Sequence, residues 1–316
     1  MFLDGKITTL TVDNYGQAML ITAAAHGHTE LVKSLLHRGV PVTLRKDGKN
    51  FKSALSVACE LGNLELANVL LPYTSTDVIN DASCVGSTLL MRIVEQNKRT
   101  NKEIVKLLLA AGARTDIRFK SKPGYTVLHA ATQINDFEVL KLLLEAKADV
   151  NARTDVGITP FWLACGLGLV GSMKLLLQYG TDPKPLNELK GAAEGQTYTD
   201  KIYGRFTETK PYLDIAIPFM DINMIKILYV SGALSNKDIL YLKQRCEDPE
   251  LFVLLYYLPR TLRPLQSACR IAVLGAMRQR GPDDVNNLPL PTKLKDYLMF
   301  NDLHLDSNPD FIYDSS

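Results

Sequence analysis

The sequence predicts an all-α fold in which short helix pairs repeat along most of the chain. An apolar anchor recurs at separations of 35, 35, 38, 33 and 52 residues, at Leu20, Leu55, Leu90, Leu128, Phe161 and Leu213. A second apolar segment led by glycine follows, most clearly at residues 27–36 and 62–71. Self-similarity at a period of roughly 20–50 residues indicates a repeat array. Because one helix pair cannot bury its own apolar face, the pairs are expected to stack into a solenoid.

The ends of the predicted helices carry residues that suit helix termini. Thr126 and Thr159 can cap the first helix of their repeats, and Pro160 is tolerated in a first turn. A left-handed C-cap favours a residue without a side chain. Glycine accordingly follows the second helix at Gly39, Gly112 and Gly180. Small residues that allow helices to pack closely recur at Ala23, Ala24, Ala58 and Ala164.

Two stretches, GYTVLHAA at residues 124–131 and GITPFWLAC at residues 157–165, share an opening close to TPLH. A unit of about 33 residues with this opening resembles the ankyrin repeat. The resemblance implies a solenoid of helix-turn-helix repeats with hairpin loops, about six in number, at residues 13–45, 46–80, 81–117, 118–153, 154–186 and 187–235. We place extra residues around 97–101 and a larger insertion at about 186–207. His129 lies in the TPLH-like motif and is expected to make a structural hydrogen bond rather than act as a base.

A different pattern follows the array. Residues 236–258 predict two capping helices, at 237–246 and 249–258, that close the end of the stack. Leu265, Cys269 and Val273 then recur at helical spacing, which by itself is typical of an ordinary core helix. Some 15 residues later comes LPLP at residues 288–291, followed by a short helix with Leu294, Tyr297 and Leu298 on its expected inner face.

The two motifs together, in this order after an ankyrin array, resemble a SOCS box. The resemblance implies a small three-helix box at residues 259–300, after an N-terminal segment (1–12), the repeats (13–235) and the capping helices (236–258), and before a tail (301–316). It implies that Leu265, Cys269 and Val273 form the BC box, which binds Elongin C, in a helix-in-groove mode. It also implies a cullin box that favours the fifth cullin type, formed by Leu288, Pro289, Leu290 and Pro291.

Ankyrin repeats followed by a SOCS box resemble the ankyrin-repeat-and-SOCS-box family. This implies a substrate-recognition adaptor that joins an unidentified protein substrate to Elongin B and Elongin C, a cullin-5 type scaffold and its RING partner. The adaptor itself performs no chemistry. Substrate is expected at the hairpin loops, of which two have basic tips, and an acidic or phosphorylated partner segment would suit them. The basic residues are Arg45, Lys46 and Lys49 in one loop and Arg118, Lys120 and Lys122 in the other.

Composition narrows the alternatives. The formal net charge of +2 gives no support to nucleic-acid or membrane-surface binding. Five widely spaced cysteines, with no Cys/His cluster, indicate reduced thiols rather than disulfides or a metal site, and no cofactor motif occurs. The first ten residues are not expected to form a signal peptide, and no apolar run is long enough to cross a membrane. We therefore expect a cytoplasmic or nuclear location.

The sequence leaves two alternatives to the adaptor function. A plain ankyrin scaffold or inhibitor without ligase recruitment would explain residues 13–235 equally well, because a fold does not fix a function. It leaves the paired motifs at 265–273 and 288–291 unexplained. An enzyme is disfavoured, because the sequence contains no P-loop, GxSxG or HExxH motif.

Overall fold

The computed structural model describes residues 9–42, 53–81, 86–96, 101–120, 122, 124–155, 157–183, 220–245, 255, 285–287 and 290–299. Within these ranges every regular element is helical and no strand occurs, which confirms the predicted all-α class. The chain divides into two compact units, Met1–Ile134 and Asn135–Ser316, and each is described by itself.

The first unit contains paired helices in two layers. The first helices of its repeats are α1 (Thr9–Ala25), α3 (Ala54–Glu60), α6 (Leu89–Gln96) and α8 (Val127–Ile134). The second helices are α2 (Thr29–His37), α4 (Leu64–Leu70) and α7 (Asn101–Ala110). A 3-10 turn, Leu71–Tyr73, and the short α5 (Thr76–Ile79) follow α4. The first helix, α1, begins four residues before the predicted start of the first repeat.

Stacking in the first unit follows the two layers. Helix α1 packs on α3, α3 on α6 and α6 on α8, while α2 packs on α4 and α4 on α7. The predicted apolar anchors lie in this stack and are each 1% exposed, at Leu20, Leu55, Leu90 and Leu128. Buried alanines such as Ala24 and Ala58, both 0% exposed, allow the first helices to approach closely.

The second unit continues the pattern and then changes it. Its helices are α9 (Phe137–Glu145), α10 (Pro160–Gly166), α11 (Val170–Gln178), α12 (Ile222–Val230), α13 (Asn236–Arg245) and α14 (Thr292–Leu298). Helix α11 packs on α9, α10 and α12. Phe161, the predicted anchor of the fifth repeat, is fully buried.

Several predicted segments of the second unit fall outside the described residues. They include the insertion at 186–207 and the first half of the sixth repeat with its anchor Leu213. The second half of that repeat is present as α12, followed by Gly232 with a φ of 75°. Helix α13 corresponds to the first predicted capping helix. Only Leu255 of the second capping helix is described, and it is buried.

The helix ends follow the predicted chemistry at Thr159 and at three glycines. The hydroxyl of Thr159 accepts a hydrogen bond from the Trp162 amide (3.4 Å), and Pro160 is the first residue of α10. The amide of Thr126 donates to Nδ1 of the buried His129 (3.3 Å), whose expected structural role is thereby confirmed. The predicted left-handed caps are confirmed by φ values of 77°, 87° and 80° at Gly39, Gly112 and Gly180.

Helix α12 differs from the other second helices in being buried on all sides after its first two residues. Every residue from 224 to 230 is buried, including Lys226 at 7% exposure. At the equivalent positions of α2 and α9, Lys33 is half-buried and Lys141 is exposed. Burial lowers the pKa of the Lys226 ammonium, because the charged form loses water.

Candidate functional site

The described part of the C-terminal box is its last third. The residues predicted for the Elongin C contact, Leu265, Cys269 and Val273, lie outside the described residues, as do Leu288 and Pro289 of the predicted cullin box. Leu290 and Pro291 are described and lead directly into α14. The structure of the box is therefore described at residues 285–287 and 290–299.

A proline starts α14. The carbonyl of Pro291 accepts hydrogen bonds from the amides of Leu294 (2.9 Å) and Lys295 (3.1 Å), which closes the first turn. Since proline fixes φ, the chain enters the helix from a restricted direction. The ammonium of Lys295 also donates to the carbonyl of Asn286, which ties the helix to the preceding segment.

A small apolar cluster holds the helix from one side. It consists of Val285, Leu298 and Met299, which are between 1% and 6% exposed, and Leu290 packs against it half-buried. Pro291, in contrast, is exposed. Of the two described residues of the predicted cullin box, Leu290 therefore packs partly against the cluster, and Pro291 is open to solvent.

The prediction that Leu294 lies on the inner face of this helix is wrong. Its side chain is 42% exposed, although Leu298 one turn later is buried. The cluster forms around the last turn of α14, whereas Leu294 sits in the first turn beside the exposed Thr292 and Lys293. The side chain of Tyr297 lies outside the described residues.

The end of α14 is bound to the fifth repeat. The side-chain amide of Gln178, the last residue of α11, donates a hydrogen bond to the carbonyl of Met299 (2.8 Å). The amide of Met299 in turn donates to the carbonyl of Lys295 (2.9 Å). Nothing in the local sequence announces this contact, because its partners are 121 residues apart.

The basic loops are the second candidate surface. Arg45, Lys46 and Lys49 lie outside the described residues. In the other loop, Arg118 and Lys120 are exposed, whereas Lys122 is half-buried. The loop is shaped by a hydrogen bond from the amide of Phe119 to the carbonyl of Tyr125 (2.8 Å).

Lys122 is held in place by neighbours on three sides. Its ammonium lies 2.7 Å from a carboxylate oxygen of Glu95. The same nitrogen lies 5.6 Å and 5.2 Å from the ring centroids of Phe119 and Tyr125, within the range of cation–π attraction. Its charge is therefore already compensated by Glu95 of α6 and by the two aromatic rings. Lys120 points its stem across Gly86, where an added Cβ would lie 2.2 Å from the lysine Cβ.

Three polar residues on the first helices were missed by the sequence reasoning. Glu60, Glu95 and Gln133 each lie five residues after the anchor of their repeat, and each has a partner in the first unit. Glu60 pairs with Arg92 (2.8 Å), Glu95 pairs with Lys122, and Gln133 accepts a hydrogen bond from the Tyr125 hydroxyl (2.9 Å). Their equal positions in successive repeats are the signal that could have identified this row.

A shallow depression in the second unit gives a third candidate, of mixed charge. Its lining includes Lys147 and Arg153 together with Asp149 and Asp182. The side-chain oxygen of Asn151 accepts a hydrogen bond from the amide of Asp182 (2.7 Å). This bond joins two of the loops that line the depression. With both signs of charge present, the depression favours no single class of ligand.

Helices of the length and apolar character needed to cross a membrane do not occur among the described residues.

Comparison with known families identifies both modules. The ankyrin-repeat model matches three times, at residues 3–82, 20–118 and 90–187, and therefore covers more than half of the chain. The SOCS-box model matches residues 261–299. Both are binding modules and not catalytic ones.

Curated relatives share the array over part of their length. The chain is similar to the E3 ubiquitin-protein ligase KEG of Arabidopsis thaliana (27% identical over 54% of this chain and 11% of that protein). It is similar to the nuclear factor NF-kappa-B p105 subunit of Gallus gallus (30%, over 53% of this chain and 17% of the subunit). It is also similar to the human transient receptor potential cation channel subfamily A member 1 (29%, over 57% of this chain and 18% of the channel).

The chain thus spans less than a fifth of each of these three relatives. Similarity of this extent concerns a shared module and not a shared activity. The family models carry more weight, because they account for the array and for the C-terminal motifs separately. The chain belongs to the ankyrin-repeat proteins, and the SOCS box at its C-terminal end gives it the architecture of the ankyrin-repeat-and-SOCS-box family.

Proposed function

We propose that the protein is a non-catalytic substrate-recognition adaptor of a cullin-RING ubiquitin ligase. The observation that supports this most strongly is the SOCS-box match at residues 261–299, after an array of ankyrin repeats. In this proposal Elongin C, with Elongin B, binds the box through Leu265, Cys269 and Val273. A cullin-5 type scaffold with its RING partner engages Leu288, Pro289, Leu290 and Pro291.

The adaptor contributes proximity. A conjugating enzyme carried by the RING partner performs the transfer, while the ankyrin array holds the target protein nearby. Tethering of this kind raises the effective concentration of target lysines around the activated ubiquitin, and no new catalytic group is needed.

Co-purification with Elongin B/C tests the proposal. Wild type is expected to form a stoichiometric complex, and the double variant Leu265→Ala, Cys269→Ala is not. Leu240→Ala is the matched control, since Leu240 is a 59% exposed leucine on α13, before the box. If the wild-type chain stays folded yet binds no Elongin B/C, the protein is instead an ankyrin scaffold or inhibitor without ligase recruitment.

Substrate capture is proposed at the loop that carries Arg118, Lys120 and Lys122, together with Arg45, Lys46 and Lys49 of the other basic loop. The occupant would be an acidic or phosphorylated segment of the target. Arg118 and Lys120 are the stronger candidates, because both are exposed whereas Lys122 is half-buried.

Binding to immobilised acidic and phosphorylated peptides tests this second step. Charge reversal of Arg118 and Lys120 is expected to weaken capture more than reversal of Lys120 and Lys122. Lys102→Glu combined with Lys106→Glu, at two exposed positions of α7, controls for the same change of net charge. Equal capture by all variants would exclude the loop as the substrate site.

A further inference from the structure

Gln178 occupies a position that three earlier repeats leave to solvent. The second helices α2, α7, α9 and α11 end at His37, Ala110, Glu145 and Gln178, respectively. The first three are exposed, whereas Gln178 is half-buried and bound to the carbonyl of Met299. The burial and the hydrogen bond of Gln178 therefore distinguish it from these three counterparts.

The contact between Gln178 and Met299 caps the C-terminal end of α14, which is a short helix. The last carbonyls of a helix have no partner within it, and Met299 directly follows α14. The Gln178 amide thus acts as a C-cap donated by another element. A helix of seven residues is marginal in water, so external contacts decide whether it forms. Among the described residues these contacts include the Val285–Leu298–Met299 cluster, the bond from Lys295 to Asn286, and Gln178 at the end.

The same helix fixes the two described residues of the predicted cullin box, Leu290 and Pro291. Pro291 carries the carbonyl that closes the first turn of α14, and Leu290 packs against the cluster that the helix completes. Anything that frays α14 would release these two residues as well. A segment that is already ordered binds at lower entropic cost than one that must fold on its partner.

We infer that the fifth ankyrin repeat is part of the cullin-recruiting element, and that Gln178 is a positioning residue. It holds α14, and with it Leu290 and Pro291 of the predicted cullin box, ready for binding. The inference rests on the proposed adaptor function. It assigns to α11 a role besides substrate binding, and it makes cullin affinity sensitive to a residue outside the box.

Cullin binding by the preassembled complex with Elongin B/C provides the test, with the N-terminal domain of a recombinant cullin-5 as the probe in calorimetry. Gln178→Ala and Gln178→Glu remove the donor, and alanine and glutamate already end α7 and α9, so α11 should tolerate both. Loss of one such hydrogen bond is expected to weaken cullin binding about threefold to tenfold. Gln178→Lys keeps a donor and should restore most of the affinity.

Gln244→Ala and Gln244→Glu, at an exposed glutamine of α13, are the matched controls and should bind as wild type. Elongin B/C binding should be unchanged in every variant, and amide exchange at residues 294–299 should rise only where the donor is lost. Cullin affinity that does not respond to Gln178→Glu overturns the inference. So does a loss of Elongin B/C binding in the same variant, because the contact would then support the whole box. Failure of wild type to bind either partner would instead reject the adaptor function.

Discussion

The guanidinium of Arg92 lies 2.8 Å from the carboxylate of Glu60, and the two side chains come from successive repeats, on α6 and α3. Both are less than a quarter exposed, so the pair is only partly screened by water. We expect Glu60→Gln or Arg92→Met to lower the free energy of unfolding by about 1–3 kcal/mol, because either change leaves a partly buried charge without its partner.

A double-mutant cycle in urea checks this pair, with a coupling energy of about 1 kcal/mol expected. The Lys33–Glu30 pair on the surface of α2 serves as the control and should show no resolvable coupling, since it lies in water. Additive effects of the two changes at Glu60 and Arg92 would show that the ion pair adds nothing to repeat stacking.

The second prediction concerns the thiol of Cys59. Burial raises its pKa to about 12, and burial likewise raises the pKa of the Cys165 thiol. Both should resist iodoacetamide at pH 8 in the folded protein and react in urea, as read by mass spectrometry. Rapid alkylation of either thiol in the native state would contradict their burial.

The raised pKa of Cys59 also makes stability depend on pH. The unfolded thiol ionises at about pH 8.5, so its protonated form stabilises the fold fully below that pH. The contribution is then lost as the pH rises toward about 12, where the folded thiol also ionises. Urea midpoints between pH 8 and pH 10.5 should therefore fall less steeply in Cys59→Ala than in wild type. Equal slopes would mean that other groups cause the whole decline.

The third prediction concerns Ser172, whose hydroxyl is buried and has no hydrogen-bond partner among the described residues. Ser172 lies six residues before the end of α11. The equivalent positions of α7 and α9 hold Ile104 and Val139, which are 0% and 1% exposed. Ser172→Val should raise the free energy of unfolding by about 1–2 kcal/mol, because an unpaired polar group gives way to apolar contact. Ser34→Val, on the exposed face of α2, should change little. A lower thermal midpoint for Ser172→Val would indicate a site too tight for valine.

The fourth prediction concerns Lys147, which adopts a φ of 63° at the position where other repeats have glycine. The left-handed conformation is unfavourable for a lysine, so Lys147→Gly should stabilise the second unit by about 0.5–1 kcal/mol. Asn135, with a φ of 59°, offers a comparison, because asparagine tolerates this region. Asn135→Gly should give a smaller shift in the thermal midpoint, and the reverse order would argue against backbone strain as the cause.

The helical stack could be predicted because its determinants are local and periodic. Leu55 and Leu90 repeat at a fixed separation, and Gly39 follows its helix directly, so each residue carries its own signal. The same reasoning identified His129 as a structural hydrogen-bonding residue from its place in the repeated motif. Each repeat is therefore predicted both from its own residues and from the same pattern in the neighbouring repeats.

The details of the candidate surfaces could not be predicted in this way. Lys122 reaches Glu95 across 27 residues, and Gln178 reaches Met299 across 121, so neither pairing leaves a mark in the local pattern. Leu294 shows the opposite failure. Its helical spacing with Leu298 suggested a shared face, but where the supporting cluster ends is decided by tertiary packing.

The burial of α12 from residue 224 to residue 230 bears on how such an array can change its length during evolution. Duplicating a repeat among the earlier ones adds a unit whose two faces both find a partner of the same shape. A copy placed after α12 would instead meet a helix whose residues 224–230 are all enclosed, with Lys226 among them. Growth and shrinkage of the array are therefore expected upstream of α12, while the distance from this helix to the C-terminal box stays constant.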